Sequence, residues 1–383
     1  MSFTETNHYV PQWYQRRFIP NGVKEQKLHY LDLTPERVSH PDGTFHYRDQ
    51  RRRLGPVSCF AEKHLYTLFF GEHAADVIEK RFFGEIDRRG ADAVAFFSNY
   101  AVGNQTEDAL HNLIRHLDAQ KLRTPKGLDY LKQMSRHGSH QAALYLMGEL
   151  CQLHVTIWME GVWEVLYCDS SSTKFIISDH PVTTYNKGLF PLSPKCKYPL
   201  DAPIELVGTH TIYPIDLNRC LVITNLGYVR NPWINPLRVR ENPRYFAPTV
   251  FDIRKVQTGR QIPEKHVRAI NFIVKNRARR YVAAGEKEWL YPEKDLESTM
   301  WHKLGNRFFL MPDPRKVSFY TEILVGYKDG SAWGIDEYGR RPRDNDPKIK
   351  AQRESERKTF HNARQAWDQE YGELRGEEMR RYL

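Results

Sequence analysis

The sequence has no apolar run near the roughly eighteen residues needed to cross a bilayer. Its opening, MSFTETNHYVPQ, has no basic stretch followed by an apolar one, so a secretory signal is not expected. Cysteine is sparse: Cys59, Cys151, Cys168, Cys196 and Cys220 stand singly, without CxxC spacing. An odd, scattered set of this kind argues for reduced thiols in a cytoplasmic protein, mostly packed as small apolar groups, and against a zinc cluster. HExxH, GxxxxGK[ST], GxSxG and GxGxxG are all missing. Ordinary zincins, P-loop NTPases, α/β-hydrolases and Rossmann oxidoreductases therefore lose weight. A nuclease escapes that exclusion, because carboxylates gathered from distant segments leave almost no regular spacing. No internal repeat or low-complexity segment is present.

The 383 residues are 40% apolar, 13% aromatic and 27% charged, with a mean hydropathy of -0.66, the profile of an ordered chain with a polar surface. The net charge of +10 favours phosphate-rich or otherwise acidic partners through long-range attraction, DNA and RNA among them, while the lack of a long apolar run argues against a membrane.

Hydrophobic period divides the chain. KLHYLDL (27–33) reads as a short strand, followed by a turn-rich loop and the basic stretch HYRDQRRRLG. From ADVIEKRFFGEIDRRG onward the apolar residues fall at helical intervals, and Leu110, Leu113, Ile114 and Leu117 mark a helix ended by Pro125. Further helix is expected over most of 126–157. WEVLYC (163–168) and KFIIS (174–178) suggest a hairpin or two nearby strands, and HTIYPI and CLVITN two more. Five prolines make 181–208 mainly loop, and a helix follows from Pro263. Beyond about 285 the composition shifts. NRFFLMPD and FYTEILVGYKDGSAWGIDEYGRR suggest a small strand unit with a Lys-Asp-Gly turn, before a long charged helix that could meet a protein partner. The expected fold class is α+β: a helical block packed with a small mixed or antiparallel sheet over 1–288, and a strand unit plus charged helix as an appendage over 289–383.

Two stretches carry the sharpest chemistry. In FIISDHPV, Asp179 and His180 sit at a strand-to-loop junction stiffened by Pro181. They could ligate a metal or relay a proton, or Asp179 could simply cap backbone N–H groups in a turn. In AQKLRTPK, Gln120 and Arg123 share one face near a helix end. Arg123 suits two-pronged contact with phosphate or an internal ion pair with Glu79, Glu85 or Asp179. Arg16–Arg17, Arg51–Arg53 and RNPWINPLRVRENPRYF mix base with aromatic or proline, as polyanion grips and solvated faces both do.

HYVPQWYQRRF (8–18) resembles the HYVPxxYLRxF start of a widespread, mainly microbial family built on a domain of unknown function (number 4238). KHLYT, QKLRTP and FIISDHPV follow in that family's order, and INFIVKNRARRYVAA resembles its final helix and strand, so the resemblance spans about 7–285. Gln15, Ile177 and His180 depart from its usual residues, and the segment beyond 290 lies outside it. The resemblance implies no activity; it implies that these polar motifs are family features, which moves the weight to His8, Arg16, Gln120, Arg123 and Asp179.

The resulting expectation is a phosphate-polymer hydrolase, foremost a metal-assisted nuclease. Asp179 would hold Mg or Mn, Glu85 would be a second carboxylate and His8 a base or ligand. Arg123 and Arg16 would clamp the phosphate, with Gln120 beside them, and Arg17, Arg51, Arg52, Arg53 and His180 would bind substrate. The alternatives are a non-enzymatic nucleic-acid or protein-binding module, in a defence or toxin–antitoxin setting, and a metal-independent transferase. A wall formed by His8, Arg123 and Asp179 together would favour the enzyme.

Overall fold

The near-continuous apolar strands Val162–Tyr167 and Arg219–Thr224 can only be stable with both faces covered, and they form the centre of a five-stranded sheet. In a computed structural model, which describes residues 6–70, 73–75, 83–101, 103, 106–247, 249, 251–319, 322–336, 338–341 and 345–374, the order across this sheet is clear. Thr183–Tyr185 pairs with His210–Pro214, which pairs in turn with Arg219–Thr224, Val162–Tyr167 and Val256–Gln261. The first three junctions are antiparallel and the last is parallel. A second, antiparallel sheet runs Ile177–Ser178, Tyr281–Ala284, Leu28–Asp32, Arg51–Leu54. The fold class is α+β, as expected. WEVLYC and KFIIS do not pair, however. They enter different sheets, because the residues between them turn the chain away and Ile177 pairs with Ala283.

Nine α-helices lie among the described residues. Helices α1 (Gln12–Arg16), α2 (Gly84–Ser98) and α3 (Thr106–Arg123) precede α4 (Pro125–Met134), α5 (His140–Glu149) and α6 (Val155–Met159). Helices α7 (Leu226–Arg230), α8 (Glu264–Arg277) and α9 (Pro347–Tyr371) complete the set. The apolar stripe read from the sequence is the buried face of α3, with Leu110, Leu113, Ile114 and Leu117 at 5% exposure or less.

The break between α3 and α4 is sharp for a local reason. Thr124 is extended and caps α4 by accepting the Gly127 N–H, and Pro125 takes the first helical position. A Cβ on Gly127 would lie 2.4 Å from the carbonyl oxygens of both Lys121 and Leu122, so glycine alone fits that turn. Lys121 and Lys126 are thereby held on either side of one tight corner.

The boundary expected at 288/289 falls inside continuous packing. Leu290, Trp301, Leu304, Phe309 and Leu310 belong to the same core as Val165, Ile212 and Leu221. Trp301 Nε1 donates to the Asn186 carbonyl, and the Trp301 carbonyl accepts from the Tyr185 hydroxyl. NRFFLMPD does not form the expected strand; Phe308–Leu310 is a turn whose aromatic and aliphatic groups plug the core. The hairpin Glu322–Gly326/Ala332–Asp336 and the long helix α9 do form, and α9 docks Trp367 and Ala366 against Phe308, Met311 and Tyr228.

Candidate functional site

The opening segment is a packed element. Tyr9, Val10, Tyr14 and Phe18 are buried, and Gln15 is fully buried with its amide donating to the Val10 carbonyl. His8 is half-buried and bonds the Val57 carbonyl at 2.9 Å through Nε2. Arg16 is exposed, whereas Arg17 pairs with Asp216 at 3.3 Å and borders an open polar recess with Asn218 and Arg219. Arg51, Arg52 and Arg53 stand exposed on the edge strand of the second sheet.

The motif residues interlock through hydrogen bonds. Gln120 donates to the Tyr9 carbonyl at 2.8 Å and accepts from Arg123 Nε at 2.9 Å. Tyr66 of KHLYT donates its hydroxyl to the Arg123 carbonyl at 2.8 Å, and its backbone N–H reaches Asn7. The Arg123 guanidinium is 1% exposed and binds Asp87, 2.8 Å away. The ion pair foreseen for Arg123 therefore goes to Asp87, not to Glu85 or Asp179; Glu79 lies outside the described residues. Burial raises the Asp87 carboxyl above its ordinary value, against the pull of Arg123. Glu85 faces solvent and pairs with Arg89 one turn on. Neither Arg123 nor Glu85 is placed to meet a substrate at a shared centre.

Asp179 clamps backbone. One carboxylate oxygen accepts the Arg279 N–H at 2.8 Å, and the other accepts those of Arg280 and Tyr281 at 2.6 and 2.8 Å. Burial raises this carboxyl, and the three N–H groups oppose the rise. An acceptor already filled by three donors, at 1% exposure, does not fit a Mg or Mn ligand. Among the described residues, no three or more His, Cys, Asp or Glu are grouped to hold a metal ion.

The next residue enters a different environment. His180 is 2% exposed; its Nε2 lies 2.9 Å from Asp201 and its Nδ1 2.7 Å from the Thr124 hydroxyl. Burial pushes this imidazole down to about 3, with Asp201 opposing, so it is neutral. With an ionised carboxylate as acceptor, Nε2–H donates to Asp201 and Nδ1 accepts from Thr124. Hydroxyl, imidazole and carboxylate stand in the order of a nucleophilic triad. Thr124 nevertheless has 0% exposure and its oxygen is occupied as the cap of α4, so the set is a structural relay and not a nucleophile.

Asp201 is the hub. Its carboxylate also binds Lys121 Nζ at 2.6 Å, Lys126 Nζ at 2.7 Å and Arg277 Nη2 at 2.7 Å. Burial works to raise its pKa, but the ammonium groups of Lys121 and Lys126 outweigh that and hold it well below the usual carboxylate range. Lys126 is 3% exposed and also donates to the Arg277 carbonyl; burial pushes it down to about 8. These groups lie at a cleft of about 460 Å³ whose lining includes Lys121, Lys126, His180 and Asp201. Its mouth adds the exposed Lys195, and its walls are largely apolar or aromatic, with Tyr130 and Tyr245 prominent. Arg277 supports Asp201 from behind and donates to the Cys196 and Leu200 carbonyls.

Of the residues given a role from the sequence, His180 alone lines this cleft, although Tyr245 of RNPWINPLRVRENPRYF and two lysines of AQKLRTPK line it too. Lys121 and Lys126 flank Arg123 in the same AQKLRTPK stretch, and the proline between them was the available signal that both face one corner. Asp201 comes from a proline-rich loop with no spacing to betray it.

Residues 152–288 match the family model described as protein of unknown function (DUF4238). The matched segment contains FIISDHPV, Asp201, α8 and the strand Tyr281–Ala284; HYVPQWYQRRF, KHLYT and QKLRTP lie before it. No curated protein and no solved structure matches the chain. Among the described residues, no helix is long and apolar enough to cross a membrane.

Proposed function

We propose that this protein binds a phosphate-bearing polymer, DNA or RNA, and receives one of its phosphates in the cleft at the α3–α4 corner. The observation that carries the reading is the charge at its floor. One carboxylate, Asp201, faces Lys121, Lys126 and Arg277 beside a neutral His180, so cations outnumber carboxylates there even with the buried Asp179 also acting on Lys126. Desolvated cations attract an anion far more strongly than solvated ones, and two lysines with spare N–H donors suit phosphate oxygens. The +10 net charge steers polyanions toward the molecule, and Arg51–Arg53 add an exposed basic edge for the rest of the polymer.

Cleavage of the bound polymer is a second reading, favoured by Lys126. An ammonium near 8 exchanges its proton close to neutral pH and can serve as a general acid or base without a metal. Asp179 does not enter this reading.

Anisotropy with labelled single-stranded oligonucleotides tests the proposal. Binding is expected at about 50 mM salt and should weaken steeply as salt rises. Lys121→Ala, a partly exposed position, should weaken it about tenfold while the fold persists. Undetectable binding to the native protein, or equal binding by the variant, overturns the assignment of the cleft.

A further inference from the structure

Resting on that reading, we infer that the cleft takes a terminal phosphate, the dianionic monoester at a single-strand end or on a free mononucleotide, in preference to an internal phosphodiester.

Charge matching is the first reason. The floor cluster carries three cations and one carboxylate while His180 is neutral, so cations are in excess there even with the buried Asp179 carboxylate also acting on Lys126. Lys195 and Glu205, one of each sign, also line the cleft. A phosphate monoester loses its second proton near pH 6 and is then doubly negative, whereas a diester carries a single charge. A buried cluster gains most from the anion that neutralises it, because residual charge in a desolvated site is costly.

Shape is the second reason. About 460 Å³ lies within the range of small-molecule sites, roughly 300–1,000 Å³. That space is of a size that one nucleotide can fill. The wall chemistry fits the rest of such a ligand. Tyr130 is half-buried and Tyr245 is 37% exposed, and both line the cleft, so a base can lie on an aromatic face while its phosphate meets Lys121 and Lys126. The α4 N-terminus lies at the same corner, where the helix dipole also favours negative charge.

The third reason is pre-organisation. Lys126 uses two of its three donors, on Asp201 and the Arg277 carbonyl, and Lys121 uses one on Asp201. Both ammonium groups are therefore held in place before any ligand arrives, which reduces the ordering cost of binding.

The test compares four ligands on the full chain: one short single strand bearing a 5′-phosphate, a 3′-phosphate or neither, and the matching nucleoside monophosphate. Inorganic phosphate serves as the competitor. At least one phosphorylated end should bind about tenfold more tightly than the unphosphorylated strand, and inorganic phosphate should erase that difference. Lys121→Ala should remove the preference. Replacing Arg51, Arg52 and Arg53 by alanine should weaken all strands alike and leave the preference intact. Equal affinity of the phosphorylated and unphosphorylated strands overturns the inference while leaving polymer binding standing. Absence of binding by any strand, with the monophosphate still bound, overturns the polymer reading instead. A preference that survives in Lys121→Ala places the end site elsewhere and also overturns the inference.

Discussion

His180 donates from Nε2 to the carboxylate of Asp201 across 2.9 Å, and that bond joins the end of FIISDHPV to the proline-rich loop. Through its other nitrogen the same ring accepts from Thr124, the residue that starts α4. The strand end of FIISDHPV, the corner of QKLRTP and the proline-rich loop are thus fastened at one neutral imidazole. Its chemistry is to hold Asp201 in place, and Asp201 in turn holds the lysines.

A pH effect follows from that neutrality. An unfolded histidine protonates near 6.5, whereas His180 in the fold does so only at about 3. Between those values the unfolded chain binds the extra proton, so stability is full above about 6.5 and declines as pH falls toward 3. The contribution of one such group is about 1.4 kcal/mol per pH unit. His180→Gln keeps a donor and an acceptor but no titration. Urea unfolding between about pH 6 and 4.5 should show a shallower loss of stability in the variant. Identical slopes would mean that His180 is charged in the fold.

Asp179→Asn separates the backbone clamp from a catalytic carboxylate. Replacing one acceptor oxygen by an amide leaves at least one of the Arg279, Arg280 and Tyr281 N–H groups unpaired. The expected cost is about 1–3 kcal/mol of stability, read by thermal or urea unfolding. Oligonucleotide affinity of the folded variant should match the native protein. Lost binding with unchanged stability would return Asp179 to the site.

A chain ended at residue 290 should lose its cooperative urea transition. The truncation removes Trp301, Leu304, Phe309 and Leu310 from the main core and strips Asn186 and Tyr185 of their Trp301 partners. Cavities of that size cost several kcal/mol each, roughly 3–5 for a tryptophan alone. A sharp transition with the native slope would restore residues 1–288 as an independent unit.

Period and punctuation made the longer helices legible, and with them the strands in KLHYLDL, WEVLYC, HTIYPI and CLVITN. The stripe of α3, the stop at Pro125, the hairpin at Lys328-Asp329-Gly330 and the start of α8 just after Pro263, which is its extended N-cap instead of a first-turn residue, all depend on local rules. Strand partnership was not local: Ile177 pairs with Ala283, more than a hundred residues on, and nothing in KFIIS specifies that. The same holds for FFLM, where an apolar run suits a strand and a core plug equally well. Family-like polar motifs drew attention to Gln120, Arg123 and Asp179, which are buried and fully engaged in holding elements together. Lysines beside a motif, and an aspartate in a loop, carry no periodic signal. They become a site only when the Thr124–Pro125 corner and the proline-rich loop meet.

Lysine footprinting by mass spectrometry reads the cleft directly. The native protein is treated with a limiting amine-acylating reagent at about pH 8, where Lys126 is part neutral, with and without a 5′-phosphorylated single strand. The strand is expected to protect Lys121 and Lys126 and to leave the exposed Lys328 of the hairpin turn, which does not line the cleft, at its free rate. Protection of other lysines, with Lys121 and Lys126 modified equally in both samples, would contradict it.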